Sequence, residues 1–338
     1  QAVTGVVRRD QASLLTEGAN GRRWLSNLVR NFIGVSRVVA PCEDLDTSVA
    51  ACVICASGPS LEESLPHIAR FRSHISLWVL GSALDAVLAR GLEPDVIITT
   101  DAALYAAEYV RAANSNEAWT VSAPLTSARG IGDEVALWCL SQEDAAERLL
   151  FGSLEHPPTP AAAHGTVTGT ATLLALALRS WPVVLAGTDF AWKDVQSHAR
   201  PHLSQDYRDW SASRTFPALT WDYARAVTLA PVEGEWRTSP SLEIYANWFA
   251  GAATPDSRVS QLFASPATRH MPVTDPALLQ SLPAVHSPPA FCEVLWPKRE
   301  DRIALVRALL ARFSTALETV RSGTSSSPLD PLQEFLLR

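Results

Sequence analysis

The sequence predicts an α/β fold: a Rossmann-like, mostly parallel sheet with helices on both faces, followed by a C-terminal helical extension. Three observations carry this expectation. Between about residues 49 and 265, short continuous apolar runs alternate with segments whose apolar residues recur every three or four positions. Such runs read as buried strands, and helices returning between them make the strands parallel. Apolar residues make up 47% of the 338-residue chain and charged residues 19%, an ordinary globular balance. Small and hydroxyl-bearing residues gather at the carboxyl ends of several strands, the edge where open parallel sheets bind ligands.

In chain order, residues 1–48 (with WLSNLVRNFIGVSRVV) read as one helix plus a short strand packed on the main domain. The strand VAACVICA, Val49 to Ala56, then runs into Ser57-Gly58-Pro59-Ser60, a tight turn and helix start. Leu61, Leu65 and Ile68 form the apolar face of that helix. A glycine turn between a buried strand and a helix N-terminus leaves backbone N–H groups pointing at a shared space, which suits a phosphate. HISLWVLG, DVIITT, WTVSAP, EVALWCL and WPVVLAG follow as strands, with SALDAVLARG and ALYAAEYVRAA as helices among them. VTGTATLLALALR is apolar nearly all round and reads as a buried crossover helix. The sheet domain is placed at 49–265. Residues 266–338 begin with proline-rich links (SPATRHMPVTDP, LPAVHSPPAF) and continue with a charged helix near Arg299–Arg321. A Ser-rich linker near 322–328 and a short helix near Pro331–Leu337 complete the chain.

Composition narrows the function. A net charge of −7 argues against a nucleic-acid scaffold or a polybasic membrane patch. No run of 18 apolar residues and no signal-peptide core occur, so a cytoplasmic protein without a membrane span is expected. Of the five cysteines, Cys52 and Cys55 fall inside an apolar strand with no second pair, and read as buried thiols in a reducing compartment rather than metal ligands. G-x-G-x-x-G, G-x-x-x-x-G-K-[ST] and G-x-S-x-G are all missing. A Rossmann dehydrogenase, a P-loop ATPase and a serine hydrolase are thereby disfavoured.

The candidate site is the set of polar strand ends. These are Ser57-Gly58-Pro59-Ser60; Gly81-Ser82; Thr99-Thr100-Asp101; and Gly187-Thr188-Asp189. His164-Gly165-Thr166-Val167-Thr168-Gly169-Thr170 opens the crossover helix at its positive end. The aspartates and threonines serve equally well as helix N-caps. After Asp189 comes a polar and aromatic stretch with Lys193, His198, His202, Tyr207 and Trp210, placed where a lid or acceptor-binding loop would leave the sheet. A histidine there exchanges protons near neutral pH. His198 and His202 are four apart, but no acidic third ligand accompanies them, which disfavours zinc.

In order and spacing, ASGPSLEE, GSALDAVLARGLEPDVIITTDA, HGTVTGTATLLALAL and VVLAGTDFAWKDVQSHA resemble the motility accessory factor family of flagellin glycosyltransferases. Their central domain is similar to archaeal 6-hydroxymethylpterin pyrophosphokinase and more distantly to bacterial sialyltransferases. The resemblance implies an inverting transfer of a nonulosonic acid (sialic, pseudaminic or legionaminic type) from a CMP-sugar donor to Ser or Thr of flagellin, needed for flagellar assembly and motility. By the same resemblance, residues 49–265 bind the nucleotide sugar. Gly58, Pro59 and Ser60 would line the nucleotide, Ser82 and Asp101 would contact ribose, base or sugar, and Thr166, Thr168 and Gly169 would hold phosphate or sugar carboxylate. Asp189 and His198 match the family's catalytic segment. Two features depart from the pattern: Ser57 stands where a glycine is usual, and Ser260-Gln261-Leu262-Phe263-Ala264-Ser265 replaces an asparagine-containing stretch. No cofactor is firmly implied. The alternatives are an ATP-dependent diphosphate transfer, with Mg²⁺ on Asp95, Asp101 and Asp189, or a non-enzymatic nucleotide-binding flagellar accessory protein.

Overall fold

A computed structural model describes residues 2–42, 51–116, 119–127, 135–161, 165–178, 182–252, 258–282 and 290–322. The expected terminal helix near Pro331–Leu337, most of the Ser-rich linker, and His164 lie outside the described residues.

The strands in chain order are β1 (Val38–Pro41), β2 (Ala51–Cys55), β3 (Ile75–Leu80), β4 (Val96–Ile98), β5 (Thr120–Pro124), β6 (Ala136–Ser141), β7 (Thr159–Pro160), β8 (Val183–Ala186), β9 (Trp192–Lys193), β10 (Ala230–Glu233), β11 (Trp236–Thr238), β12 (Val259–Gln261) and β13 (Phe291–Glu293). Ten of them form one sheet in the order β12-β8-β2-β3-β4-β5-β6-β1-β13, with β7 paired to β6. Every neighbouring pair in it is parallel except β1 with β13. From β2 the chain winds outward through β3, β4, β5 and β6, then returns to place β8 on the other side of β2. The direction of winding therefore reverses between β2 and β8, and a crevice opens beyond the carboxyl ends at such a switch point.

The helices are α1 (Ala2–Gly34), α2 (Leu61–Phe71), α3 (Leu84–Leu88), α4 (Leu104–Tyr109), α5 (Ala145–Phe151), α6 (Val167–Leu178), α7 (Leu203–Ser211), α8 (Ala218–Ala226), α9 (Pro240–Ala252), α10 (Pro276–Gln280) and α11 (Arg299–Ser322). Side-chain alternation along each strand divides the core in two, as a period of two requires. Val53, Cys55, Leu77, Val79, Ile97 and Val184 join Leu28, Phe32, Leu61, Leu65, Ile68, Val306 and Leu309, so α1, α2 and α11 cover one face. Cys52, Ile54, Trp78, Ile98, Trp138 and Leu185 join Ala171, Leu174 and Phe249, so α6 and α9 cover the other. Burial on both faces explains why the strands are continuous apolar runs.

Three local outcomes differ from the sequence reading. The segments 82–91 and 103–113 give only short helices, α3 and α4, flanked by 3-10 turns at Gly81–Ala83 and Arg111–Ser115. The stretch after Asp189 is an ordered annex rather than a loop: β9, β11 and β10 form a small antiparallel sheet beside α7 and α8. Cys42 and Cys292 are disulfide-bonded where β1 meets β13, a bond that runs against the expectation of a wholly reduced chain. Cys52 and Cys55 are free and buried as expected. Among the described residues no helix is long and apolar enough to cross a membrane.

Candidate active site at the switch point between β2 and β8

Two glycine turns meet where the winding reverses. The Gly58 amide donates to the Gly187 carbonyl at 2.8 Å, joining the turn after β2 to the turn after β8. A methyl group on Gly58 would stand 2.4 Å from Asp189 Oδ2 and 2.5 Å from the Gly187 carbonyl oxygen, so only glycine fits. Gly187 has φ of +69°, and a Cβ there would meet the Ala56 carbonyl oxygen at 2.3 Å.

Asp189 closes this junction. Its Oδ2 accepts from the Ser60 amide at 2.8 Å and its Oδ1 from the Ser60 hydroxyl at 2.6 Å. Its own carbonyl accepts from Ser265 Oγ at 2.6 Å. Asp189 thus sits at the positive end of α2, in the place an external anion was expected to take. The Leu61 and Glu62 amides bond to Gly58 and Pro59 carbonyls, so the turn's donors are used internally. Burial, only partly offset by the Ser60 bonds, raises the Asp189 carboxyl to about 6.

The segment carrying His198 lies across this junction. The Ala199 amide donates to the Ser57 carbonyl at 2.8 Å, and Glu62 Oε1 accepts from the Arg200 amide at 2.8 Å and from Gln196 Nε2 at 2.5 Å. His198 Nδ1 lies 2.8 Å from Ser197 Oγ, and its ring stacks on His202 at 4.1 Å with 8° between planes. Burial first, then the Arg208 charge, lowers His198 to about 4. The side chain expected to titrate near neutral pH is therefore held neutral across the physiological range.

Ser82 Oγ donates to Ser57 Oγ at 3.0 Å, tying the end of β3 to the same turn. Asp101 is exposed and accepts from the Ala103 amide at 2.8 Å, a local cap before α4. Thr166 Oγ1 accepts from the Gly169 amide at 3.0 Å, and Thr168 is buried in the first turn of α6. These three residues cap and fill that turn. Gly165 packs under the Trp248 indole and Phe190 against Phe249, which joins the start of α6 to the strand end after β8 through α9.

Two hollows border the junction. A cleft of about 390 Å³ is lined by Pro59, Glu62, Lys193, Arg200, Leu219 and Glu235, among others. A smaller polar hollow is lined by residues that include His198, His202, Arg208 and Asp222. Gly58, Pro59, Ser60, Ser82, Asp189 and His198 are brought together around the junction, and of these Pro59 and His198 line a hollow; Asp101, Thr166, Thr168 and Gly169 line neither hollow and join no bond to the junction. Sequence reasoning did not assign site roles to His202, Arg208, Asp222 or Ser265. Their positions depend on the annex and the β12 loop, which no strand-helix periodicity announces.

The proposed Mg²⁺ set does not form. Asp95, at the amino end of β4, pairs with Arg72 at 2.7 Å and accepts from the Leu77 amide, while Asp189 spends both oxygens on Ser60. Among the described residues no group of three or more His, Cys, Asp or Glu could hold a metal ion.

The sequence matches the family described as 6-hydroxymethylpterin diphosphokinase MptE-like over residues 22–195, more than half of the chain. The chain belongs to the MptE-like family. That span includes α2, both glycine turns and Asp189, and ends just before Gln196. A Treponema pallidum (strain Nichols) protein described only as uncharacterized is 28% identical over 264 residues, 78% of this chain and 54% of that protein. The chain spans about half the length of this relative. The structure of the MAf glycosyltransferase from Magnetospirillum magneticum AMB-1 aligns with a TM-score of 0.51 at 15% identity, over 86% of this chain and 42% of that one. At that identity the match shows a shared fold for this MptE-like chain.

Proposed function

We propose that this protein is a glycosyltransferase that moves a nonulosonic acid from a CMP-sugar to serine or threonine hydroxyls of flagellin. The observation that supports it most is the fixing of the His198 segment over the β2/β8 crevice by the Ala199–Ser57 and Arg200–Glu62 bonds. That arrangement puts a neutral imidazole beside a crevice of the kind in which α/β folds hold nucleotides. Loss of CMP develops negative charge on phosphate while the sugar becomes oxocarbenium-like. Lys193 and Arg200, the cations that line the larger cleft, would stabilise that charge. His198, unprotonated at neutral pH, would accept the proton of the incoming hydroxyl, an effect typically worth about 10²–10⁴-fold. The test is His198→Ala assayed with CMP-N-acetylneuraminic acid and flagellin. Turnover should fall far more than donor affinity, and equal losses in both would refute the base role.

A second reading follows from the family description: diphosphate transfer from ATP to a hydroxymethylpterin. Phosphoryl transfer relies on metal ions bridging the phosphates. The separation of Asp95 from Asp189 removes the carboxylate set that this reading names. ATP- and pterin-dependent activity, with none toward CMP-sugars, would establish it instead.

A further inference from the structure

The small hollow beside α7 contains an imidazole whose hydrogen bonding is half complete. His202 is 3% exposed. Its Nδ1 accepts from the Ser204 amide at 3.2 Å and lies 2.7 Å from Ser204 Oγ, capping α7. A ring nitrogen that accepts carries no proton, so the neutral ring bears its proton on Nε2. Nε2 is buried and has no partner. The ring is held in place by the His198 stack on one side and by Tyr109, 5.3 Å between centroids, on another. A buried donor left unpaired is costly and rare, and such a group calls for a partner the protein does not supply.

The hollow that His202 lines has a volume of about 10 Å³, room for one water-sized atom. Gln205 and Arg208 stand in the same wall as further donors. Asp222 is the carboxylate there, and its charge is met by the Arg208 guanidinium. The wall is thus rich in N–H groups, and its single negative charge is already paired.

We propose that this hollow is a subsite for one oxygen of an oxyanion, a carboxylate or a phosphoryl group, with His202 Nε2–H as the donor that fixes it. The inference rests on the reading of the crevice as a CMP-sugar site, since both the sugar acid and the nucleotide offer such an oxygen. A neutral imidazole suits this role because it donates without releasing a proton, and the stacked His198 keeps Nε2 as an acceptor in the tautomer whose Nδ1–H donates to Ser197 Oγ.

The test follows the His202 ring by ¹⁵N NMR in the full chain as inorganic phosphate, acetate or CMP is added. The signal is assigned by its disappearance in His202→Asn. Asn keeps an acceptor for the Ser204 amide, and so keeps the α7 cap, but lacks the Nε2–H. A saturable shift of Nε2–H is expected. A response to phosphate and CMP assigns a phosphoryl oxygen, and a response to acetate alone assigns a carboxylate. In His202→Asn the dissociation constant for the responding anion should rise about 10-fold or more, with an unliganded melting temperature near wild type. No shift with any of the three, as when a trapped water already satisfies the donor, overturns the proposal. Unchanged anion affinity in His202→Asn overturns it equally. Anion binding through His202 without CMP-sugar turnover would refute only the transfer reading. Turnover with an unresponsive His202 would refute only the subsite.

Discussion

Replacing Asp189 by asparagine should make the protein less sensitive to rising pH rather than simply weaker. In the wild type, burial raises this carboxyl from the usual 3.8 to about 6, so the folded state holds the proton more tightly than the unfolded chain. Between those two values the folded protein binds more protons, and stability falls as pH rises through the window. The span is roughly two pH units, or about 3 kcal/mol at about 1.4 kcal/mol per unit. The asparagine side chain would carry no charge. Its carbonyl can still accept from the Ser60 amide, while its NH₂ meets Ser60 Oγ, which reverses its hydroxyl to accept. The geometry of the 2.6 and 2.8 Å bonds therefore survives, with neutral bonds replacing charge-assisted ones. Urea unfolding of both proteins at pH 4, 5, 6, 7 and 8 measures the difference. The variant should gain about 3 kcal/mol relative to wild type between pH 4 and pH 8, because other titrations are shared and cancel. Parallel curves across that range, or a variant that loses ground as pH rises, would refute the assignment of Asp189 as a buried carboxylate under strain of desolvation.

Gly187→Ala forces a left-handed backbone on a side chain that meets the Ala56 carbonyl oxygen at 2.3 Å; chemical denaturation should show a loss of more than about 1–2 kcal/mol, the left-handed penalty alone. For His198, held at about 4 against 6.5, the unfolded chain takes up the proton first on acidification, so stability present above pH 6.5 is lost toward pH 4. His198→Phe, which retains a stacking ring, should suffer up to about 3 kcal/mol less of that acid loss in unfolding measured at pH 7 and pH 4. Reducing Cys42–Cys292, or replacing Cys42 by serine, opens a link spanning 250 residues; thermal unfolding with and without reductant should show a lower melting temperature, with an entropic ceiling of roughly 5 kcal/mol.

The sheet was legible because burial on both faces writes itself as unbroken apolar runs: β2, β3, β4, β5 and β8 all lie within the runs read as strands, and β6 passes the end of its run by one residue. The start of α2 was legible for the same reason, through Leu61, Leu65 and Ile68. Gly58 and Asp189 stood out by type, but their relation did not. Nothing in residues so far apart says that the carboxylate would fill the helix end that looked open to a phosphate. His198 could be picked out, whereas its proton affinity depends on its burial and on the Arg208 charge, which only the folded annex supplies. Cys42 and Cys292 could not be paired by eye, because β13 reaches β1 only after the whole sheet has formed between them.

The antiparallel strand at the far border of the sheet has a practical consequence. A fragment trimmed at residue 265 to isolate the main domain would discard β13 and strip β1 of its outer neighbour. The exposed row of N–H and C=O groups would then invite another copy to add itself, and such a fragment is expected to self-associate. Tail residues far from the crevice would in that way govern whether the protein stays dispersed.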